Sequence, residues 1–276
     1  MLRPLRKQLP DHVRRRMRQV RARFLSIGLP LTAEFSQPEE EKEASAEISI
    51  IIPFRDAPIT VTERCLQSLE RYAPRAEVIL VEDGSVQKEI ADLVRKFVSR
   101  NQWKLICNEK AAGHSSATES GARLATRPYL CLLNSDTVVT PWSWRAAQEA
   151  FEADPRIGIC GPTTSQTPTA QMNRRAELCR HFWTDSQVFR FAEKCVKPWP
   201  PRSFVDLPEV GGFAFFIRRA LWEQLGGFDP SLPDYGNEFD LCHRASSKGC
   251  RIVWTKGNYI HHLGQQTYLD PTSQWL

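Results

Sequence analysis

The four residues Leu130–Leu133 lie between Pro128 on one side and Asn134-Ser135-Asp136 on the other. An apolar run this short cannot make a helix, and because it offers no polar face it reads as a strand buried on both sides. A strand covered twice needs helices above and below it, and the neighbouring sequence supplies them. Ile48–Pro53 and Glu77–Val81 are further strand-like runs, each followed by a helix-periodic set: Val61, Cys65, Leu66, Leu69 and Tyr72, then Ile90, Leu93, Val94 and Phe97. Trp103–Cys107 reads as a third strand, and Ser116–Ala125 as a small-residue helix leading to the central strand. This alternation specifies an α/β chain whose mostly parallel sheet carries helices on both faces.

Trp144–Ala153 continues the pattern as a helix and Ile157–Cys160 as a strand, and then the rhythm breaks. Residues 162–206 are rich in Pro, Thr, Ser and Gln at their start and hold three prolines between Lys197 and Arg202, so this segment is expected to be irregular. Long irregular insertions in compact domains are usually functional or disordered. Regular structure is expected again at Gly212–Ile217, in a helix through Leu225, in a helix near Glu238–Lys248, and in strands at Arg251–Trp254 and Tyr259–His262. One domain over residues 47–276 follows, preceded by an extension over 1–46.

That extension carries the charge imbalance of the chain. The net charge is +5, yet residues 1–30 hold nine Arg or Lys against one Asp, residues 31–47 hold six Glu against one Lys, and the remainder is close to balanced. Val13, Met17, Val20 and Phe24 recur at helical spacing among arginines, with Asp11 able to cap the start and Gly28 and Pro30 to end it. A basic amphipathic helix over residues 11–26 suits an anionic membrane surface, although a packing helix, a dimer contact or a disordered arm would carry the same pattern. Residues 34–47 read as a solvated acidic linker. No nucleic-acid partner is expected. The eight cysteines form no CxxC pair, no apolar run reaches the roughly 18 residues that span a bilayer, and the start lacks a signal-peptide core. A reduced, cytoplasmic protein is expected, peripheral at the inner face of the membrane if the basic helix binds lipid.

In an open parallel sheet, ligands bind beyond the carboxyl ends of the strands. Acidic or metal-capable residues follow strand ends at Asp56, Glu82-Asp83, Asp136, and Glu238/Asp240 with His261-His262. From these residues alone, Asp136 is either a ligand for a phosphate-bound cation or a turn cap, and Glu238 and Asp240 are either chemistry or favourable first-turn acids.

The motifs in this order resemble glycosyltransferase family 2, over about residues 47–267. Ser49 through Asp56 is similar to its first strand and nucleotide-facing loop, with Pro53 at the strand end and Arg55-Asp56 where an aromatic and Asn are common. Val81-Glu82-Asp83-Gly84-Ser85 resembles its Asp-Asp-Gly-Ser turn, and Asn108 through Gly121, including Gly113, its small-residue segment under the donor, with Glu119 replacing a usual Asn. Asn134-Ser135-Asp136 is similar to the DxD element with an amide in the first place. Val210-Gly211-Gly212-Phe213 and Gly226-Gly227-Phe228-Asp229 look like the acceptor-side strand and turn. Asn237-Glu238-Phe239-Asp240-Leu241-Cys242-His243-Arg244 aligns with Glu-Asp-x-Asp-Leu-x-x-Arg, and His262 through Thr267 with a C-terminal His-x-Gly-x-x-Ser element.

The resemblance implies a GT-A fold and inverting, metal-dependent transfer of a sugar from a nucleotide-diphosphate sugar, UDP or dTDP first, to a glycan or lipid-linked acceptor, as in polysaccharide synthesis. It implies Glu238 as base, Asp136 and His262 as ligands of Mn or Mg, and a donor site of Pro53, Arg55, Asp56, Glu82, Asp83, Gly113, Asn134, Ser135 and Asp136. Gly212, Phe213, Asp240 and Trp183 fall on the acceptor side, with Asp240 able to hold Arg244 at i+4. The departures at Glu119, Asn134 and Glu238 motivate an alternative, a non-catalytic nucleotide-sugar-binding pseudoenzyme.

Overall fold

The computed structural model describes residues 35–173, 184–232 and 234–264. The basic segment 11–26, Trp183 and residues 265–267 lie outside the described residues. Eight strands form one sheet in the order β3-β2-β1-β4-β8-β6-β9-β7. They are β1 Ile48–Phe54, β2 Glu77–Asp83, β3 Lys104–Asn108, β4 Tyr129–Leu133, β6 Ile157–Thr163, β7 Phe204–Asp206, β8 Ala214–Arg218 and β9 Arg251–Tyr259. β1 pairs in parallel with both β2 and β4, and β2 with β3. β8 enters antiparallel between β4 and β6, while β6 and β9 pair in parallel. The chain order reverses between β1 and β4, so the crevice beyond their carboxyl ends is the switch point where an open α/β sheet takes its ligand.

The helices are α1 Glu39–Ala46, α2 Ile59–Tyr72, α3 Lys88–Asn101, α4 His114–Ala122, α5 Arg145–Ala153, α6 Asp185–Val196, α7 Arg219–Leu225 and α8 Asn237–Ser247. They divide the core into two layers, and β4 shows why its sequence has no polar face. Cys131 and Leu133 pack with Phe216, Trp144 and Ile52 on one side. Leu130 and Leu132 pack with Ile51, Phe215 and Leu241 on the other. Burying four such side chains supplies about 1.5–3 kcal/mol each for the aliphatic ones, which holds the site-bearing end of β4 rigid.

Three expectations change. Residues 34–47 are not a solvated linker: they contain α1, with Glu41, Ala44 and Ser45 buried. Glu41 accepts from the Trp144 and Arg145 N–H groups at the start of α5, at 2.8 and 3.1 Å, which satisfies donors that a helix leaves unpaired. Burial pushes its carboxyl up to about 7. The irregular segment 162–206 contains α6, opened by a capping box between Thr184 and Gln187. Its Val188, Phe189 and Ala192 are buried. The last strands are one long β9 followed by β10 His261–His262, which pairs antiparallel with β5 Thr137–Val138 apart from the main sheet. No disulfide joins the seven described cysteines. Among the described residues no helix is long and apolar enough to cross a membrane.

Candidate active site

One side of the crevice is built by two loops that follow β1 and β2. Asp56 has φ 42, a left-handed conformation uncommon for residues other than Gly, Asn and Asp. Its Oδ1 accepts from the N–H groups of Val86 and Gln87 at 3.0 and 3.2 Å, which laces the two loops together. Pro53 lies buried near the end of β1, and Arg55, just beyond it, is exposed. Glu82 is nearly buried beside the Cys107 thiol.

Asp83 organises the third wall. Its Oδ1 accepts from Asn108 Nδ2 and Ala112 N, both at 2.9 Å, and its Oδ2 from Gly113 N at 3.0 Å. A carboxylate offers about four lone-pair positions, so three are spent on the 108–113 segment and one on Oδ2 remains. The same segment crosses Gly84 so closely that a Cβ there would lie 2.8 Å from the Lys110 carbonyl carbon. Gly113, at φ 89, turns the chain into α4. Glu119 on α4 faces away from this wall, toward Arg123 and the Gly227 turn.

The lip of β4 carries the cation-capable pair. Asp136 is 5% exposed, and its Oδ1 lies 3.2 Å from His262 Nε2. The β5–β10 pairing sets Thr137 opposite His262, and the Leu263 N–H donates to the Asp136 carbonyl at 2.9 Å. His262 Nδ1 lies 2.7 Å from the Gln166 carbonyl oxygen, which can only accept, so Nδ1 carries a proton. Nε2 is left to share a proton with Asp136 or to offer its lone pair to a cation. The two atoms, 3.2 Å apart, are close enough that both could hold one cation. A hard divalent cation fits this oxygen–nitrogen pair. Among the described residues no cluster of three His, Cys, Asp or Glu side chains forms. Asn134 and Ser135 complete the lip; the Asn134 N–H donates to the Phe213 carbonyl at 3.0 Å.

Phe213 and its neighbour Gly212 join this lip to the start of α8. The Phe213 ring stacks on His262, centroids 5.3 Å apart and 21° between planes. Glu238, in the first turn of α8, lies directly over Gly212: a Cβ at 212 would stand 2.8 Å from Glu238 Cγ and closer still to its carboxylate. Burial raises the Glu238 carboxyl above the ordinary carboxylate range. Asp136, His262, Phe213, Gly212 and Glu238 are therefore linked in series through the consecutive pair Gly212-Phe213, and they are drawn from four parts of the chain. Asp240 stands apart from them, its Oδ2 accepting from Arg244 Nε at 2.7 Å while the guanidinium donates to the Leu225 and Gly227 carbonyls at 2.8 Å each. Gln166 escaped the sequence reading because a backbone carbonyl in a Pro/Thr-rich stretch carries no motif. Asn237 and Ser115, which bond each other at 2.8 Å, escaped it because they lie 122 residues apart.

A family model described as glycosyl transferase family 2 matches residues 49–225. O-antigen biosynthesis protein RfbC of Myxococcus xanthus is 26% identical over 247 residues, covering 83% of this chain and 18% of that protein. Polypeptide N-acetylgalactosaminyltransferase 8 of Drosophila melanogaster is 27% identical over 237 residues, covering 80% of this chain and 38% of that protein. The chain thus spans well under half the length of either relative. The crystal structure of GalNAc-T7 with UDP, GalNAc and Mn2+ superposes with a TM-score of 0.60 at 18% identity, over 78% of this chain and 42% of that one.

Proposed function

From the premise that this chain belongs to glycosyl transferase family 2, we propose that it transfers a sugar, with inversion, from a nucleoside-diphosphate sugar to an acceptor hydroxyl. The observation that carries the reading is that the Asp136–His262 pair stacks on Phe213 while the Glu238 carboxylate packs on the adjoining Gly212. Transfer needs a site that stabilises charge on the departing diphosphate and a proton acceptor on the opposite side of the anomeric carbon. These two groups supply both ends.

Asp136 and His262 would hold a divalent cation, whose chemistry when bound is to neutralise the charge that develops on the diphosphate. Asn134 and Ser135 flank that end with an amide and a hydroxyl, and Arg55 brings a guanidinium to the mouth for phosphate oxygens. Pro53, Asp56, Glu82, Asp83 and Gly113 shape the nucleotide wall. Glu238 takes the proton of the acceptor hydroxyl as that oxygen attacks. Its raised proton affinity suits it to the task, because a base poised nearer neutrality pulls harder while still ionised at the working pH. One base opposite one leaving group gives inversion. Phe213 and Gly212 line the acceptor approach, Asp240 holds the acceptor-side turn through Arg244, and Trp183 is assigned to the acceptor segment.

The donor is assigned as a UDP or dTDP sugar and the acceptor as a glycan or lipid-linked glycan of a cell-surface polysaccharide. The UDP and Mn2+ bound by GalNAc-T7 and the O-antigen role in the name of RfbC favour these choices. The protein is placed in the cytoplasm, with residues 11–26 contacting an anionic membrane face. Equal pelleting of full-length and 1–46-deleted protein with anionic vesicles would remove that last assignment. The central test screens nucleotide sugars for thermal shift and cleavage with and without Mn2+. A UDP or dTDP sugar should stabilise the protein only with the metal. Glu238→Gln should keep that shift and lose transfer. If no nucleotide sugar shifts or is cleaved, the donor reading fails.

A further inference from the structure

A buried relay ties the candidate base to the donor-side helix. Asn237 is fully buried at the start of α8, immediately before Glu238. Its Nδ2 donates to Ser115 Oγ at 2.8 Å, and its Oδ1 accepts from the Glu238 N–H at 3.1 Å. Ser115 in turn donates its only hydroxyl hydrogen to the Leu232 carbonyl at 2.6 Å. Ser115 lies in the first turn of α4, two residues after Gly113, whose N–H is held by Asp83.

We infer that Asn237 is a positioning residue: its amide registers Glu238 against the donor-side helix α4, so that the base and the nucleotide wall are set by one hydrogen-bonded chain. The relay requires an amide. Ser115 has no hydrogen left to give, so it must receive one, and the Glu238 N–H in the first turn has no intrahelical acceptor, so it must donate one. Asn satisfies both demands with one planar group. Asp offers only acceptors and would face the Ser115 oxygen lone pair; Ala leaves both partners unpaired in a buried place, at a cost that movement of the first turn would relieve. Because Glu238 leans on Gly212, a shift of the first turn moves the carboxylate directly. The inference rests on Glu238 being the base.

The test compares Asn237→Ala, Ser115→Ala, their double variant and Glu238→Gln in the full chain. Affinity is read with UDP and Mn2+, and turnover as UDP release from the UDP-sugar the wild type cleaves fastest. A displacement of about 1 Å in a reacting group costs on the order of 100-fold. Asn237→Ala should therefore lose tens- to 100-fold in kcat with donor KM and UDP affinity unchanged. Ser115→Ala should lose about tenfold, and the double variant no more than Asn237→Ala alone. Ser115→Ala, the smaller change, carries the test if Asn237→Ala fails to fold. Near-wild-type kcat in both single variants beside an inactive Glu238→Gln overturns the relay and leaves the base reading intact. Multiplying losses in the double variant, or a fall in UDP affinity parallel to kcat, also overturns it. An active Glu238→Gln ends the base reading and the relay together.

Discussion

Gly212→Ala is the sharpest probe of the site, because its effect can be worked out before it is made. The added Cβ would lie 2.8 Å from Glu238 Cγ, where ordinary contacts begin near 3.4 Å, so Cγ must retreat by about 0.6 Å and the carboxylate beyond it by more. Gly212 is not among the residues with positive φ, so the backbone accepts Ala. The clash falls on a flexible side chain that can swing away, so the melting temperature should stay within a few degrees of wild type. Catalysis has no such latitude. Moving the base by about 1 Å costs on the order of 100-fold, equivalent to about 2.7 kcal/mol of barrier. The assay is UDP release from a cleaved UDP-sugar with Mn2+, alongside calorimetric affinity for UDP and Mn2+. Turnover should fall by about two orders of magnitude with the nucleotide affinity retained. A folded Gly212→Ala protein that turns over within threefold of wild type would refute the placement of the base over Gly212.

Three further outcomes follow from the same geometry. Burial holds the Glu41 carboxyl near 7 against an ordinary 4.5, so its contribution to stability is full below pH 4.5 and is lost as pH rises through about 7. Glu41→Gln keeps an acceptor for Trp144 and Arg145 without the charge and should unfold in urea at pH 8 with a free energy higher by on the order of 1–3 kcal/mol, the two proteins converging at pH 4. Since burial raises the Glu238 carboxyl, the acid limb of the wild-type pH–rate profile should lie above 4.5; a limb below that value would contradict the buried base. His262→Ala should weaken Mn2+ by tenfold or more in electron paramagnetic resonance titrations made with UDP, while Mn2+ binding unchanged by the substitution would detach His262 from the cation.

Much of the architecture was legible because burial on two faces writes itself into composition. β4 has no polar alternate, α2 and α3 show one apolar face each, and the β-α order follows directly. Where the reading failed, a local signal was outweighed. The glutamates of 39–43 suggested a solvated linker, yet Glu41 is drawn inside by the unpaired N–H groups of α5. The prolines around 162–206 concealed α6, although Thr184 and Gln187 already spelled its capping box.

The site divides along the same line. Asp136, Glu238 and His262 could be picked out by type and order, because carboxylates and imidazoles at strand and helix ends are chemically conspicuous in a string of letters. Their union could not. His262 meets Asp136 because β10 pairs with β5, and Glu238 packs beside Phe213 because Gly212 has no side chain to keep it away. The string of residues told which side chains are able to bind or titrate and which runs are buried, since both are properties of single side chains and their spacing. Distances between segments more than a hundred residues apart are properties of the packed whole, and only the tertiary structure decided them.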